Sequence, residues 1–396
     1  MKLQFTENSE NKYFFSQPHQ PFFVLGFINA IVTIIIFMLA YKGVYNLALT
    51  ASNFHIYALV YLMFTPVFFG FIFTGFLRLK NNLLTEKKLY MRIFSLYYLG
   101  AILFLLGSIV SPFLSAMGMF LVFSAHLMGI KQVKKIYTVT TIEDRSDIYW
   151  IFIAMVTGLL SHLLFIIAQI IHMPLMSLSN EIAVYLYLFF LTFAIAQRMV
   201  PYFSDLTLKK NNKLLKIVFS LLSLHIIFES IYPNSSYVAD LVLAYFIGKE
   251  LLRWKLPFPN SEPLLWILYL SLFWIPVGFF LGAVTNFIST IFNIQFLALD
   301  THVITLGFVL TILLGFGTRI TLRNSDNPVK ADKWTTYLFY WTQLVIVTRI
   351  FVSLASAFES NIMILFDISV SVWVLMFILW GLRFFKVLIT GKQLPC

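Results

Sequence analysis

Two histidines at the ends of long apolar runs are the first residues of this chain that could do chemistry. His55 stands at the start of the run 53–78, and His302 stands at the same place in the run 299–323. A polar ring in or near hydrocarbon needs a partner, which is another side chain, a water or a metal ion. Because both runs begin with a histidine and end with an arginine, we expect His55 and His302 to act as a pair.

A second group of polar side chains lies within two other apolar runs. His162 and His225 occupy the fifth and seventh runs, and Glu229 follows His225 by one turn on the same helix face. Imidazole and carboxylate groups are ligands for copper and for other transition metals. These residues are therefore candidates for a second metal site, with Glu229 as a ligand or as a group that orients one.

Arg349 is the one arginine deep inside an apolar run. A guanidinium group in hydrocarbon requires an anionic partner. Asp367 or Glu359 would give it a structural role. An anionic group of a ligand, such as a haem propionate, would give it a binding role, because the guanidinium fork matches a carboxylate.

The remaining histidines have simpler interpretations. His126 lies near the cytoplasmic end of the fourth run, where we expect it to join two helices by a hydrogen bond. His19 and His172 lie outside the predicted spans, and we expect both to be solvated loop residues.

The composition indicates what class of protein must position these residues. The chain is 60% hydrophobic and only 11% charged, whereas globular proteins carry about 25% charged residues. This balance indicates an all-α integral membrane protein in the lipid bilayer. The net charge of +11 reflects loop lysines and arginines and does not indicate nucleic-acid binding. The single cysteine, Cys396, excludes disulfides and thiolate metal sites.

Apolar runs of about 18 residues or more predict twelve transmembrane helices in one polytopic domain, residues 1–396. Their predicted bounds are 22–41, 54–77, 92–110, 112–130, 148–170, 182–200, 214–232, 235–252, 263–288, 302–320, 334–356 and 361–385. Lysine and arginine collect in alternate connecting segments, and the opposite set contains only Lys42. The positive-inside rule therefore predicts that both termini are cytoplasmic.

An internal period suggests how the helices are grouped. Arg78, Arg198 and Arg319 end helices two, six and ten, at intervals of 120 and 121 residues. Three four-helix units related by pseudo-threefold symmetry would produce this spacing. Twelve evenly spaced helices would produce it as well, so both explanations stay open. The chain has no Walker motif, no dinucleotide-binding glycine motif and no HExxH motif.

Three segments resemble a known family. These are the histidine that opens helix two, the segment Arg198-x-x-Pro201-Tyr202-Phe203, and His302-x-x-Thr305-x-Gly307 in helix ten. Together they resemble the NnrS family over nearly the full length. Members are described as bacterial membrane proteins that contain haem and copper and take part in the nitric oxide response. The resemblance implies the bacterial inner membrane, haem b and copper.

The layout also has a distant likeness to the catalytic subunit of haem–copper oxidases. Low-spin haem ligands lie on helices two and ten of that subunit, and His55 and His302 match those placements. The likeness implies a bis-histidine haem b near the outer face and an electron donor such as a quinol. The oxidase pattern on helix ten is H-x-H, and Asp300 replaces its first histidine. An oxidase-type active centre is therefore poorly supported, and enzymatic activity stays open.

Two alternatives come from other functional classes. A twelve-span secondary transporter would use Arg349, Asp367 and the histidines to bind substrate or relay protons. A scaffold that binds a protein partner would need no cofactor. The absorption spectrum of the purified protein separates the haem protein from both alternatives.

Overall fold

The computed structural model describes residues 13–76, 85–139, 145–171, 175–204, 211, 213–259 and 262–394. Three residues used in the sequence predictions lie outside these ranges: Arg78, His172 and Cys396.

Twelve long helices make up the described part of the chain. They are α1 (His19–Tyr41), α2 (Ala51–Thr74), α3 (Lys87–Val110), α4 (Pro112–Val139), α5 (Ser146–Ile170), α6 (Leu175–Phe203), α7 (Leu214–Ile231), α8 (Tyr237–Trp254), α9 (Pro263–Phe292), α10 (Leu299–Asn324), α11 (Lys333–Ala357) and α12 (Met363–Thr390). Each helix overlaps one predicted span.

Eleven of these described helices are long and apolar enough to cross a membrane. The other is α8, which carries Asp240, Lys249, Glu250 and Arg253 within 18 residues. The prediction of an all-helical, multi-span membrane protein is therefore confirmed. The number of helices that cross the membrane and the cytoplasmic location of the termini stay predictions.

Helices two, six and ten differ from the others in hydrogen bonding and in burial. All three contain π-helical segments, at Ala58–Phe64 and Ile72–Phe76 in α2, Ile182–Phe189 in α6 and Val303–Leu310 in α10. Their apolar windows are 89%, 83% and 89% buried, against at most 56% in the other membrane-length helices described. A helix that is apolar on all sides is buried inside a protein. Helices two, six and ten, which are four helices apart, thus share both π-helical segments and high burial. The symmetry of three four-helix units stays a prediction.

A threonine follows the π segment in two of these helices. The Thr65 hydroxyl in α2 donates to the Val60 carbonyl at 2.7 Å, and the Thr311 hydroxyl in α10 donates to the Leu306 carbonyl at 2.8 Å. Each bond spans five residues, which satisfies a carbonyl where the α-helical pattern is interrupted. The matching sequence pattern of helices two and ten therefore corresponds to a matching local structure.

The chain forms two compact units, and each is described by itself. The first comprises residues 1–140, 316–329 and 374–396, and the second comprises residues 141–315 and 330–373.

Aromatic rings form the core of the first unit. The Phe27 ring lies 4.2 Å from the Trp380 ring, and the Trp380 indole N–H donates to the Thr318 hydroxyl at 3.1 Å. His126 is fully buried, with its ring edge-on to Phe69 at 5.9 Å. Buried rings in this arrangement gain both apolar area and favourable edge-to-face electrostatics.

The prediction that His19 is a solvated loop residue is wrong. His19 is the first residue of α1 and is only 1% exposed. Its ring packs edge-on against Phe23, and its backbone N–H donates to the Thr74 hydroxyl at 2.9 Å. The helix begins three residues before the predicted span, because this hydrogen bond satisfies an N–H of the first turn.

Candidate functional site

A strained turn before α10 positions His302 in the second unit. Asn293, Leu297 and Ala298 all have positive φ, at 55°, 45° and 51°. This conformation costs non-glycine residues about 1 kcal/mol or more each, and it persists where the surroundings hold it. Arg349 donates to the Leu297 carbonyl at 2.8 Å, and the His302 ring bonds the Ala298 carbonyl at 2.7 Å. These two contacts hold the strained carbonyls in place.

The hydrogen bond to Ala298 also defines the chemistry of the His302 ring. A carbonyl only accepts, so this short contact favours the tautomer with the proton on Nδ1 of His302 and the lone pair on Nε2. Histidines that bind metals have this arrangement, in which the second nitrogen donates to a carbonyl or carboxylate. His302 is thus oriented as a metal ligand would be.

Arg349 lies beside the same ring. One guanidinium nitrogen is 3.2 Å from Nδ1 of His302, and another donates to the Ser353 hydroxyl at 2.6 Å. A fixed positive charge therefore lies next to the His302 ring. The structure therefore brings together two of the three residues that the sequence assigned to a cofactor.

The third of those residues, His55, belongs to the first unit. It is half-buried near the start of α2, and its ring lies 4.3 Å from the Phe37 ring at an angle of 30°. The Thr50 hydroxyl caps this helix by accepting from the Asn53 N–H. Because His302 belongs to the second unit, the pairing of the two histidines stays a prediction.

A cavity of about 200 Å³ lies in the second unit next to the strained turn. Its wall includes the ionisable side chains of Glu181, His225, Glu229 and Asp300, together with Tyr185. Polar groups in an apolar bundle commonly mark a binding site or a proton path. After the contacts between His302 and Arg349, this cavity is the second place in the described structure where polar residues converge.

His225 forms a buried ion pair at the cavity wall. Its Nδ1 is 2.6 Å from Oδ1 of Asp240 on α8, and the two side chains are 2% and 1% exposed. The other oxygen of Asp240 accepts from the Ser236 hydroxyl at 3.0 Å and from the Asn286 amide at 3.4 Å. Each oxygen of the carboxylate is therefore bonded, as a buried charge requires.

Two of the carboxylates on the cavity wall, Glu229 and Asp300, are held by neutral donors. Glu229 accepts from the Asn234 backbone N–H at 2.7 Å, and Asp300 accepts from the Tyr185 hydroxyl at 3.0 Å. Asp300 approaches α9 closely at Gly282, where an added Cβ would lie 2.9 Å from the Cβ of Asp300. Glycine at this position therefore sets the shape of the cavity wall.

The predicted second metal site is brought together only in part. His225 and Glu229 both line the cavity, as their spacing predicted. His162 is fully buried in α5 and does not belong to the described cavity wall. The described residues contain no group of three or more His, Cys, Asp or Glu side chains placed to hold a metal ion. The copper site therefore stays a prediction.

Arg198 in the segment 198–203 forms an ion pair that sequence reasoning missed. Its guanidinium is 2.5 Å from a carboxylate oxygen of Asp147, which is fully buried at the start of α5. Gln197 donates to the other oxygen at 3.1 Å. This arrangement joins the start of α5 to the C-terminal part of α6 and gives the arginine a structural role.

Asp240 was also missed, although the sequence contains a signal for it. The residue lies in a predicted span six positions after the turn at 233–234, and His225 lies eight positions before that turn. An acid within an apolar run needs a partner, and the facing helix of a hairpin is where one is expected. Glu181 directly precedes the predicted sixth span, and only the fold shows that it lines the cavity.

Sequence comparisons complete the description of the chain. No curated protein matches it at a significant level. The family model described as NnrS protein matches residues 13–392, which is nearly the whole chain. The matched region contains both histidines that open helices two and ten, the segment 198–203, and the cavity. The chain therefore belongs to the NnrS family.

Proposed function

We propose that this protein is a haem-binding inner-membrane protein that acts in the bacterial response to nitric oxide and nitrosative stress. Membership of the NnrS family supports the physiological role. The observation that carries the haem proposal is the environment of His302, whose Nδ1 bonds the Ala298 carbonyl and leaves the lone pair on Nε2. In this proposal His302 and His55 would be the two protein ligands that hold the haem iron.

Arg349 fits the same cofactor. A guanidinium group forms paired hydrogen bonds with carboxylates, and haem carries two propionates. The group lies 3.2 Å from the His302 ring, so a cofactor bound there would lie within reach of it. We propose two roles for Arg349. It binds a haem propionate, and its hydrogen bond to the Leu297 carbonyl holds the turn that carries Ala298, whose carbonyl is the partner of the His302 ring.

The residues then have defined tasks. Ala298 fixes the orientation of His302, Arg349 holds the turn that presents Ala298, and the apolar side chains of α10 exclude water. A haem with two histidine ligands supplies one-electron chemistry and suits electron transfer or sensing.

The absorption spectrum of the purified protein tests the proposal. We expect a sharp low-spin b-type spectrum. His302→Ala and His55→Ala should each abolish or convert it, because each removes one axial ligand. His126→Ala is the matched control, since it also removes a buried histidine ring from a helix but should leave the spectrum intact.

Two outcomes would contradict the assignment. A wild-type protein that is folded and never acquires haem in haem-sufficient cells would refute haem binding. Retention of an unchanged six-coordinate spectrum in both ligand variants would show that other residues bind the iron.

A further inference from the structure

The cavity in the second unit has an excess of negative charge. Glu181, Glu229 and Asp300 line it, and no lysine or arginine appears on the described part of its wall. A fourth carboxylate, Asp240, is already matched by His225 at 2.6 Å. Three carboxylates around a small volume in an apolar bundle create a strongly negative potential, which favours a cation.

Two buried oxygens indicate what kind of group is missing. Oε2 of Glu181 and Oε2 of Glu229 are both buried and accept no hydrogen bond within the described structure. Nε2 of His225 lies 3.6 Å from the Glu181 oxygen, which is an ion-pair distance but too long for a hydrogen bond. Buried polar atoms in folded proteins are nearly always bonded to protein, water or an ion. Two unsatisfied acceptors at one cavity therefore indicate a ligand that donates hydrogen bonds.

The size and chemistry of the cavity narrow the class of ligand. A cavity of about 150 Å³ holds a benzene molecule, which has six heavy atoms, and this cavity measures about 200 Å³. Tyr185, Phe296 and Leu299 supply apolar wall beside the carboxylates. Among the described residues no group of three ligating side chains is placed to hold a metal ion. These features favour an organic cation over a directly coordinated metal.

We propose that the cavity binds a small organic ammonium ion, with N–H groups that donate to Glu181 and Glu229 and a short apolar body against Tyr185 and Phe296. Asp300, which is held by the Tyr185 hydroxyl, adds negative charge to the site. This binding site does not depend on haem, so it can be tested whether or not the haem assignment holds.

Calorimetric titration of the purified full-length protein in detergent micelles tests this inference. The probe is 1,4-diaminobutane, which has six heavy atoms and two ammonium groups. We expect saturable, one-to-one binding of the diamine. We expect none for 1,4-butanediol, which has the same length without charge, or for sodium chloride at equal ionic strength.

Three variants locate the site. Glu181→Gln and Glu229→Gln should each weaken diamine binding by about tenfold or more, because each replaces a charge-assisted hydrogen bond with a neutral one. Glu359→Gln is the matched control. It removes a carboxylate that is exposed and lies outside the cavity wall, so the affinity should not change. Thermal melting of each variant verifies that the protein is folded.

The proposal is overturned by any of three results. The first is that folded wild-type protein shows no saturable binding of the diamine. The second is that Glu359→Gln weakens the affinity for the diamine as much as the cavity variants do. The third is that an equimolar divalent metal ion displaces the diamine.

Discussion

The buried ion pair between His225 and Asp240 makes a quantitative prediction about stability. The two side chains are 2% and 1% exposed and approach to 2.6 Å. An exposed pair contributes at most about 1 kcal/mol to the free energy of unfolding. Removing one partner of a buried pair costs about 3–5 kcal/mol, because the remaining charge stays buried without compensation. We therefore expect Asp240→Asn to lower the free energy of unfolding by about 3–5 kcal/mol.

The double variant separates the ion pair from its surroundings. His225→Gln combined with Asp240→Asn leaves two neutral amides that can hydrogen bond with each other. The loss of stability should therefore be well below the sum of the two single losses, with a coupling energy of about 2–3 kcal/mol. The hydrogen bonds from Ser236 and Asn286 to Asp240 contribute about 1 kcal/mol each. The single Asp240 variant and the double variant weaken them equally, so their contribution cancels in the double-mutant cycle.

Unfolding by sodium dodecyl sulfate in mixed micelles, followed by circular dichroism, measures these free energies. Glu359→Gln is the control, since substitution of this exposed residue should change stability by no more than about 0.5 kcal/mol. A loss below about 1 kcal/mol for Asp240→Asn, the range of an exposed pair, would refute the reasoning. Strict additivity in the double variant would refute it too.

Two further predictions concern the cofactor and the topology. Arg349→Gln should weaken haem retention about tenfold or more, since hydrogen bonds to charged groups are worth about 1.5–3 kcal/mol. Arg349→Gln should also lower the reduction potential of the haem. Asp367→Asn is the control and should change neither haem retention nor the potential. Unchanged haem content and potential in Arg349→Gln would reject the propionate role. Reporter fusions should place the segment 171–181 on the opposite side of the membrane from 201–213, and the same side for both would contradict the twelve-span topology.

The fold could be predicted from the sequence because the bilayer imposes a minimum length on each apolar helix. All twelve predicted spans correspond to helices, and the spacing of His225 and Glu229 correctly placed both on one face. The error at His19 has a physical cause, since a hydropathy pattern cannot show that a distant threonine, Thr74, accepts a hydrogen bond from the first N–H of the helix. α6 also begins earlier than expected, at Leu175, seven residues before its predicted span.

The candidate site was less predictable, because it depends on contacts between helices. The pairing of His225 with Asp240 requires the rotation of α7 relative to α8, which the sequence does not contain. The contact of Arg349 with the Leu297 carbonyl requires a turn in which two successive non-glycine residues have positive φ. Nothing in the residue types Leu and Ala predicts that conformation. The π segments were also unexpected, since they do not alter the hydropathy of a uniformly apolar helix.

The π segment of α10 has a consequence for how sequence length can change within the family. A π segment accommodates one more residue than an α-helix does over the same distance. Deleting one residue between Val303 and Leu310 would allow that stretch to become α-helical while leaving the rest of the helix packed. Because the π segment already takes up that extra residue, His302 would keep its orientation relative to Thr311. A one-residue deletion in the α-helical stretch Thr311–Asn324 would instead turn His302 by about 100° relative to the residues beyond the deletion. The two parts of one apolar helix therefore differ in the change of length that they can absorb without redirecting the imidazole.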